Sequence, residues 1–432
     1  MRKGFLTVLL TLLVAVAYAL PIESISSAAS YELHNGKDTL LIFDGDIDLR
    51  TKNEIGEVLW YSIETGEPLE TQPSEEQYRL DDGGYYVVKD GVEYAPFYVF
   101  RYTEPGELTL SLAPECGGTQ LAVQGELKPY TYKRRNGTTA TYARACTIYY
   151  NELAWSGELW EDSAAVKEPS EGLQPYYDLP ALYGPTTVRL CVESDLRARL
   201  GMTDSVCYET ELRLEDVKAV KQQLVAYATP HDAKNELEKL TETKYTKQIE
   251  GNSYSGPLEI EFRSNPTPGV QFYQWTIYKA SEVLFTRRDR DIHFTFSEPG
   301  AYRVECSVNN ASCVTEPDDI KVNISESYLR VPNVFTPDDN GQNDEFRVSY
   351  RSLKSFHCEV YNRWGKKVFS WDDPAKGWDG TINGRPAAEG AYYYVIRALG
   401  TDAALSTDGA PIGIYNLSGD INLLRGKKTN NN

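Results

Sequence analysis

Val331-Pro332-Asn333-Val334-Phe335-Thr336-Pro337-Asp338-Asp339-Asn340-Gly341-Gln342-Asn343-Asp344-Glu345-Phe346 is the stretch from which the rest of the chain can be read. Its prolines, its glycine and its run of short oxygen-bearing side chains exclude a helix and predict a tight polar loop between an extended entry and a strand starting near Phe346. Downstream, Phe356 to Tyr361 alternates, turns at Asn362-Arg363-Trp364-Gly365 and returns as Lys366 to Phe369, the pattern of a hairpin with glycine at its left-handed position. Gly377-Trp378-Asp379-Gly380 follows, then a turn at Asn383-Gly384, a strand over Gly390 to Ile396 that includes Tyr392, and a last strand over Ile421 to Leu424. Trp364 and Trp378 stand beside turn glycines, where both indoles are expected to cover a small core.

These motifs, in this order, resemble the type B C-terminal sorting domain of type IX secretion, also described as the gliding-motility-associated C-terminal domain. The resemblance runs from Pro332-Asn333-Val334-Phe335-Thr336-Pro337 through Gly341, Asn343, Asp344, the Asn362 to Gly365 turn, Trp378-Asp379-Gly380 and Gly390-Ala391-Tyr392 to Gly419-Asp420-Ile421-Asn422-Leu423-Leu424-Arg425. It covers about Tyr328 to Arg425. The family usually has Asn-Gly-Asp-Gly after the Thr-Pro, whereas this chain has Asp338-Asp339-Asn340-Gly341. Such a domain implies export across an outer membrane by the type IX machinery, to the surface of a Gram-negative cell or the medium, with no catalysis of its own.

The chain has 432 residues, 41% hydrophobic and 25% charged, which is ordinary globular composition for three or four domains. It opens with Arg2-Lys3, an apolar run from Phe5 to Val16 and Ala17-Tyr18-Ala19, so residues 1–19 are expected to be a signal peptide cleaved after Ala19. That run is too short for a membrane-spanning helix, and no other stretch qualifies. The formal charge of −19, more negative still without Arg2 and Lys3, argues against nucleic acid and anionic membranes as partners.

Trp60 and Tyr86, Trp160 and Thr186, and Trp275 and Tyr302 form three pairs at nearly equal spacing. A tryptophan on an inner strand with an acidic-x-Gly-x-Tyr pattern later is expected of an immunoglobulin-like sandwich, the indole filling the core and the tyrosine hydroxyl capping a backbone corner. The third such module resembles a PKD domain, on Pro257 to Phe262, Tyr273-Gln274-Trp275 and Gly300 to Val304. The expected fold is therefore all-β: tandem immunoglobulin-like or PKD-like sandwiches over residues 20–109, 110–217 (irregular) and 218–327, a C-terminal sorting β-sandwich over 328–426 and a tail over 427–432. Within the third module, the helix formers after Pro230, from His231 to Leu240, predict either a short surface helix or a linker.

Seven cysteines in an exported chain permit disulfides and leave one over. Cys306 and Cys313 lie symmetrically about Asn309-Asn310 and are expected to pair. Cys191 with Cys207, and Cys116 with Cys146, make the other expected pairs, leaving Cys358 as a buried thiol.

No two of the four histidines stand at metal-ligand spacing, and hydrolase, P-loop and zinc-protease motifs are missing from the sequence. Glu158, Glu161 and Asp162 beside Trp155 and Trp160 have the composition of a sugar cleft, and equally of a solvated loop beside core aromatics. Asp338, Asn340, Asn343 and Asp344 could supply oxygens to calcium, or simply form an Asx-rich turn. Apart from calcium no cofactor is expected. Together these features favour a non-enzymatic surface or secreted binding or structural (adhesin-like) protein, its ligand an unidentified surface glycan or protein. The rivals are a secreted enzyme with a site in Thr119 to Leu182, and an accessory of the secretion or attachment machinery.

Overall fold

The structure, a computed structural model, describes residues 22–24, 30–51, 58–69, 77–229, 233–238, 244–245, 252–407 and 409–425. The expected signal peptide and the C-terminal tail lie outside the described residues. The fold is all-β, and the chain divides into two compact units, one of residues up to 153 with 162–216, the other of 154–161 with 217 onwards. No helix among the described residues is long and apolar enough to cross a membrane.

In the first unit, Ile22–Ser24, Ile47–Thr51 and Gln77–Leu80 form one sheet. It faces a larger sheet ordered Ser30–Asn35, Asp38–Phe43, Phe97–Arg101, Gly83–Lys89, Val58–Ser62. Trp60 fills the space between them, stacked on Tyr78 at 4.7 Å and edge-on to Phe97 at 5.9 Å. The corner hydroxyl belongs to Tyr85, which donates to the carbonyl of Asp81 at 3.0 Å, while Tyr86, the residue expected there, faces away and stacks on Tyr61. A one-residue shift on a strand exchanges its faces. The continuous apolar run Phe97-Tyr98-Val99-Phe100 is buried on both sides. Tyr98 and Phe100 are covered by Tyr130 and Tyr132 of the hairpin Tyr130–Lys133/Thr139–Tyr142, and by Leu196 and Leu200 of the short helix Ser194–Arg199 and its end.

The rest of this unit comprises a sheet of Thr109–Pro114, Thr119–Gln124 and Tyr176–Leu179, and another ordered Trp160–Ser170, Cys146–Trp155, Thr186–Val192, Val206–Leu212. Cys191 and Cys207 stand directly opposite each other on the last two strands, with Cα atoms 4.1 Å apart, and form a disulfide. Cys116 and Cys146 do not pair with each other. Cys146 is a free, buried thiol at the start of a strand in one sheet, whereas Cys116, a disulfide cysteine, sits in the turn joining two strands of the other.

In the second unit, Val225–Ala228, Leu258–Arg263 and Asp291–Phe296, with the short Lys244–Tyr245, oppose the sheet Ser253–Tyr254, Asp318–Ile324, Gly300–Asn309, Phe272–Lys279, Glu282–Arg287. Trp275 is fully buried in this sandwich and donates its indole N–H to Asp289 O at 3.0 Å; Tyr302 donates to Glu298 O at 2.7 Å, the corner expected there. Trp160 does not take the matching place in a core. It is half-buried, edge-on to Trp155 at 5.4 Å, with its N–H on Asn265 O at 2.9 Å.

The expected Cys306–Cys313 bridge is not formed, because the hairpin is not centred on Asn309-Asn310. Asn309 bridges Val314, and Cys306 lies opposite Asp318, so Cys313 falls in the turn while Cys306 points into the core as a free thiol. Cys313 is a disulfide cysteine. Of the expected helix after Pro230, residues 233–238 form a turn with an isolated bridge from Glu236 to Tyr350; His231 and residues 239–240 lie outside the described residues. Backbone pairing to a distant strand overrides the local helix propensity.

The C-terminal part is built on a five-stranded sheet ordered Val334–Phe335, Pro411–Leu423, Gly390–Leu405, Leu353–Tyr361, Lys367–Trp371. The short pairs Tyr328–Arg330/Ser349–Arg351 and Thr381–Ile382/Arg385–Pro386 complete it. The strands expected at Gly390 to Ile396 and Ile421 to Leu424 are parts of one long hairpin.

Candidate functional site

Three of the motif-bearing segments of the C-terminal part, those with Phe335, Phe346 and Tyr392, meet at Trp378. Its indole is fully buried, donates to Thr381 O at 2.7 Å, and packs against Phe335 at 5.4 Å and Tyr392 at 4.9 Å. Backbone bonds in both directions, Phe346 N to Trp378 O at 2.8 Å and Trp378 N to Phe346 O at 3.1 Å, tie the turn to the strand entry. The approach is close enough that a Cβ on Gly377 would lie 2.6 Å from Phe346 O, so only glycine fits before this tryptophan. Asp379 accepts from Thr381 N at 2.9 Å and Thr381 Oγ1 at 2.8 Å, and Gly380 completes the turn at φ +72°. Tyr392 donates its hydroxyl to Ala388 O at 2.9 Å, two residues after Gly390, which repeats the corner geometry of Tyr85 and Tyr302.

Pro332 and Asn333 lead into Val334–Phe335, which runs parallel to Asn422-Leu423; Asn422 N donates to Asn333 O at 2.9 Å. In the loop that follows, Thr336 N reaches Asn343 O at 2.8 Å, and Pro337 packs over Gly380. Asp344 turns its carboxylate inward. Oδ1 accepts from Asp338 N at 3.0 Å and Asp339 N at 2.8 Å, and Oδ2 from Gly341 N at 2.6 Å. Partial desolvation opposes the charge, but the backbone donors outweigh it and hold this carboxyl below its ordinary value. Asn340 Oδ1 accepts from Gln342 N at 2.8 Å. Asp339 takes a positive φ of +65°, a left-handed conformation that glycine adopts freely and aspartate tolerates. Of the four candidate calcium ligands, Asp344 thus has its oxygens engaged by backbone N–H groups. No group of three or more His, Cys, Asp or Glu among the described residues is arranged to hold a metal ion.

At the other turn, Asn362 Oδ1 accepts from Trp364 N and Lys366 N, both at 3.0 Å, and Gly365 takes φ +76°. Trp364 does not cover the core. It is 75% exposed, with the guanidinium of Arg363 4.4 Å above its ring. The core place expected for it is taken by Trp371, at the end of Lys367–Trp371 and against Phe346, Phe356 and Phe369. Arg425, which the sequence marks only as the end of the last motif, has a structural role as well. Its guanidinium donates to Pro337 O at 3.2 Å and Gly380 O at 3.0 Å, clamping the proline loop to the Trp378 turn. A lone arginine at the end of an apolar strand was the available signal.

The acidic residues beside Trp155 and Trp160 do not form a carboxylate pair over a closed pocket: Glu158 edges an open cleft with the two indoles, and Glu161 does not line it.

Residues 329–410 match the family model described as CHU_C, a type IX secretion signal domain. No curated protein matches the chain. Among solved structures, the chain is similar to the crystal structure of chicken CNTN1 FN1–FN3 domains, with 10% identity, 74% of this chain and 98% of that chain covered, and a TM-score of 0.23.

Proposed function

We propose that the chain is a surface or secreted binding or structural protein, carried out of a Gram-negative cell by type IX secretion machinery that reads its C-terminal domain, and that it has no catalytic role. The observation that carries this reading is the match over residues 329–410, within which Phe335, Phe346 and Tyr392 share one core with Trp378. The modules upstream are the cargo. Sandwiches that follow one another along the chain, the third of them PKD-like, expose loops at their ends, the usual places for recognition of a glycan or protein. The acidic charge makes nucleic acid a poor partner.

The test is fractionation of a host that has type IX secretion, expressing the full chain or its Trp378→Ala variant. The parent is expected at the surface or in the medium, with a mature N-terminus at Leu20, and the variant in the periplasm. A parent retained in the periplasm, or a variant exported as well as the parent, overturns the proposal.

A further inference from the structure

The sorting domain as the sequence delimits it begins near Tyr328, yet one edge of it is made elsewhere in the chain. Ser349–Arg351 pairs on one side with Tyr328–Arg330. Its other side is taken by residues 235–237. Tyr350 N donates to Asn235 O at 3.2 Å, Leu237 N donates to Tyr350 O at 2.8 Å, and Glu236 bridges Tyr350 in parallel. Asn235 then anchors this strap through its side chain, donating to Val348 O at 2.6 Å and Pro374 O at 2.7 Å. Glu238 closes it with an ion pair to Arg351 at 2.5 Å and a bond from Ser325.

Beside the strap, Ser352 is fully buried and uses every polar atom it has. Its N–H donates to Ser255 Oγ at 2.8 Å, its hydroxyl donates to Ser325 O at 2.7 Å and accepts from Gly256 N at 3.0 Å, and its carbonyl accepts from Thr401 N at 2.8 Å. A Cβ on Gly400 would lie 2.2 Å from Ser327 Oγ, so the two sides leave no room for a side chain there. Buried, fully paired polar groups hold one arrangement, because any separation that keeps water out leaves them unsatisfied.

We infer that residues 233–238 and the Ser255-Gly256 turn are a second, upstream half of the sorting domain, so that the third module and the sorting domain fold as one cooperative unit which cannot be divided at residue 328. The inference rests on the proposed role of the C-terminal domain only for its name; the contact network stands apart from export. A boundary at 328 leaves Ser349–Arg351 with an open edge and Ser352 without three of its four partners.

Hydrogen exchange on the full chain, read by mass spectrometry, tests it. Asn235→Ala is expected to speed exchange in Leu353–Tyr361 and Gly390–Leu405 by roughly an order of magnitude, while Phe97–Arg101 in the first unit keeps its parent rate. A variant pair guards against general unfolding. Glu238→Arg sets two cations together and is expected to speed exchange in the same strands several-fold, and Glu238→Arg with Arg351→Glu is expected to restore it. Parent rates in the sorting sheet of both single variants, or failure of the double variant to restore the rate, overturn the inference. Export of full-length Trp378→Ala decides the sorting role separately: if that variant is exported normally, the sorting reading fails and the exchange result still stands by itself.

Discussion

Two turns of the C-terminal domain carry a tryptophan beside a glycine, and they use the indole in opposite ways. At Gly377-Trp378-Asp379-Gly380 the ring is 0% exposed; at Asn362-Arg363-Trp364-Gly365 it is 75% exposed. The difference lies in the backbone. Gly377 is pressed against Phe346 O, whereas Gly365 faces open space and serves only the positive φ of the turn. A glycine required for close approach marks a turn held against the core, and one required for handedness alone marks a turn that can stand in solvent.

The contrast is sharpest at the rings. Trp378→Ala is expected to destabilise the unit by about 3–5 kcal/mol in urea unfolding, because it empties a core position and orphans Thr381 O. A loss under about 1 kcal/mol would mean that Phe335 and Tyr392 can close the space, and the contrast would break. Next come the glycines. Gly377→Ala forces a Cβ onto a backbone carbonyl and is expected to cost roughly 2–3 kcal/mol, against about 1 kcal/mol for Gly365→Ala, where only the positive φ is strained. Equal losses in parallel melts would show that clash does not separate the two turns.

A smaller effect is expected in acid. With its folded pKa below the ordinary 3.8, Asp344 contributes stability that is fully present above the unfolded pKa and is lost as pH falls through the folded pKa. Asp344→Asn is therefore expected to flatten the part of the stability profile below about pH 4, and an unchanged acid limb in pH-dependent melts would remove Asp344 from this role. Calcium or EDTA is expected to leave the parent melt in place; a calcium-dependent rise would show that Asp344 releases its backbone donors to a cation. The smallest effect belongs to Trp364→Ala, expected within about 0.5 kcal/mol of the parent. A larger loss would place Trp364 in the fold after all.

Much of this was legible locally. The turn at Asn362, the positive φ of Gly365 and Asn383-Gly384, and the corner at Tyr302 follow from residue types at short spacing, and so does the pairing of Cys191 with Cys207. What failed depends on register or on distant pairing. Shifting the hairpin centre past Asn310 moves Cys313 into the turn and frees Cys306. One position separates Tyr85 from Tyr86 and decides which of them caps the corner. The strap at Asn235 reads as a helix locally, since nothing in its own residues announces a partner more than a hundred positions ahead. At the candidate site, the turn chemistry was readable but the side each indole faces was not, because that is set by Phe346 and by Trp371.

The three free thiols, Cys146, Cys306 and Cys358, lie on core strands of the middle module, the third module and the C-terminal domain respectively, and all are buried. Burial raises the pKa of each, that of Cys146 to about 11, so none is a ready nucleophile while its strand is in place. Each becomes labelled only when its own module opens. The chain thus carries a clock in three places, and the rates at which a thiol reagent consumes Cys306 and Cys358 in the native protein will report whether their modules open together or one at a time.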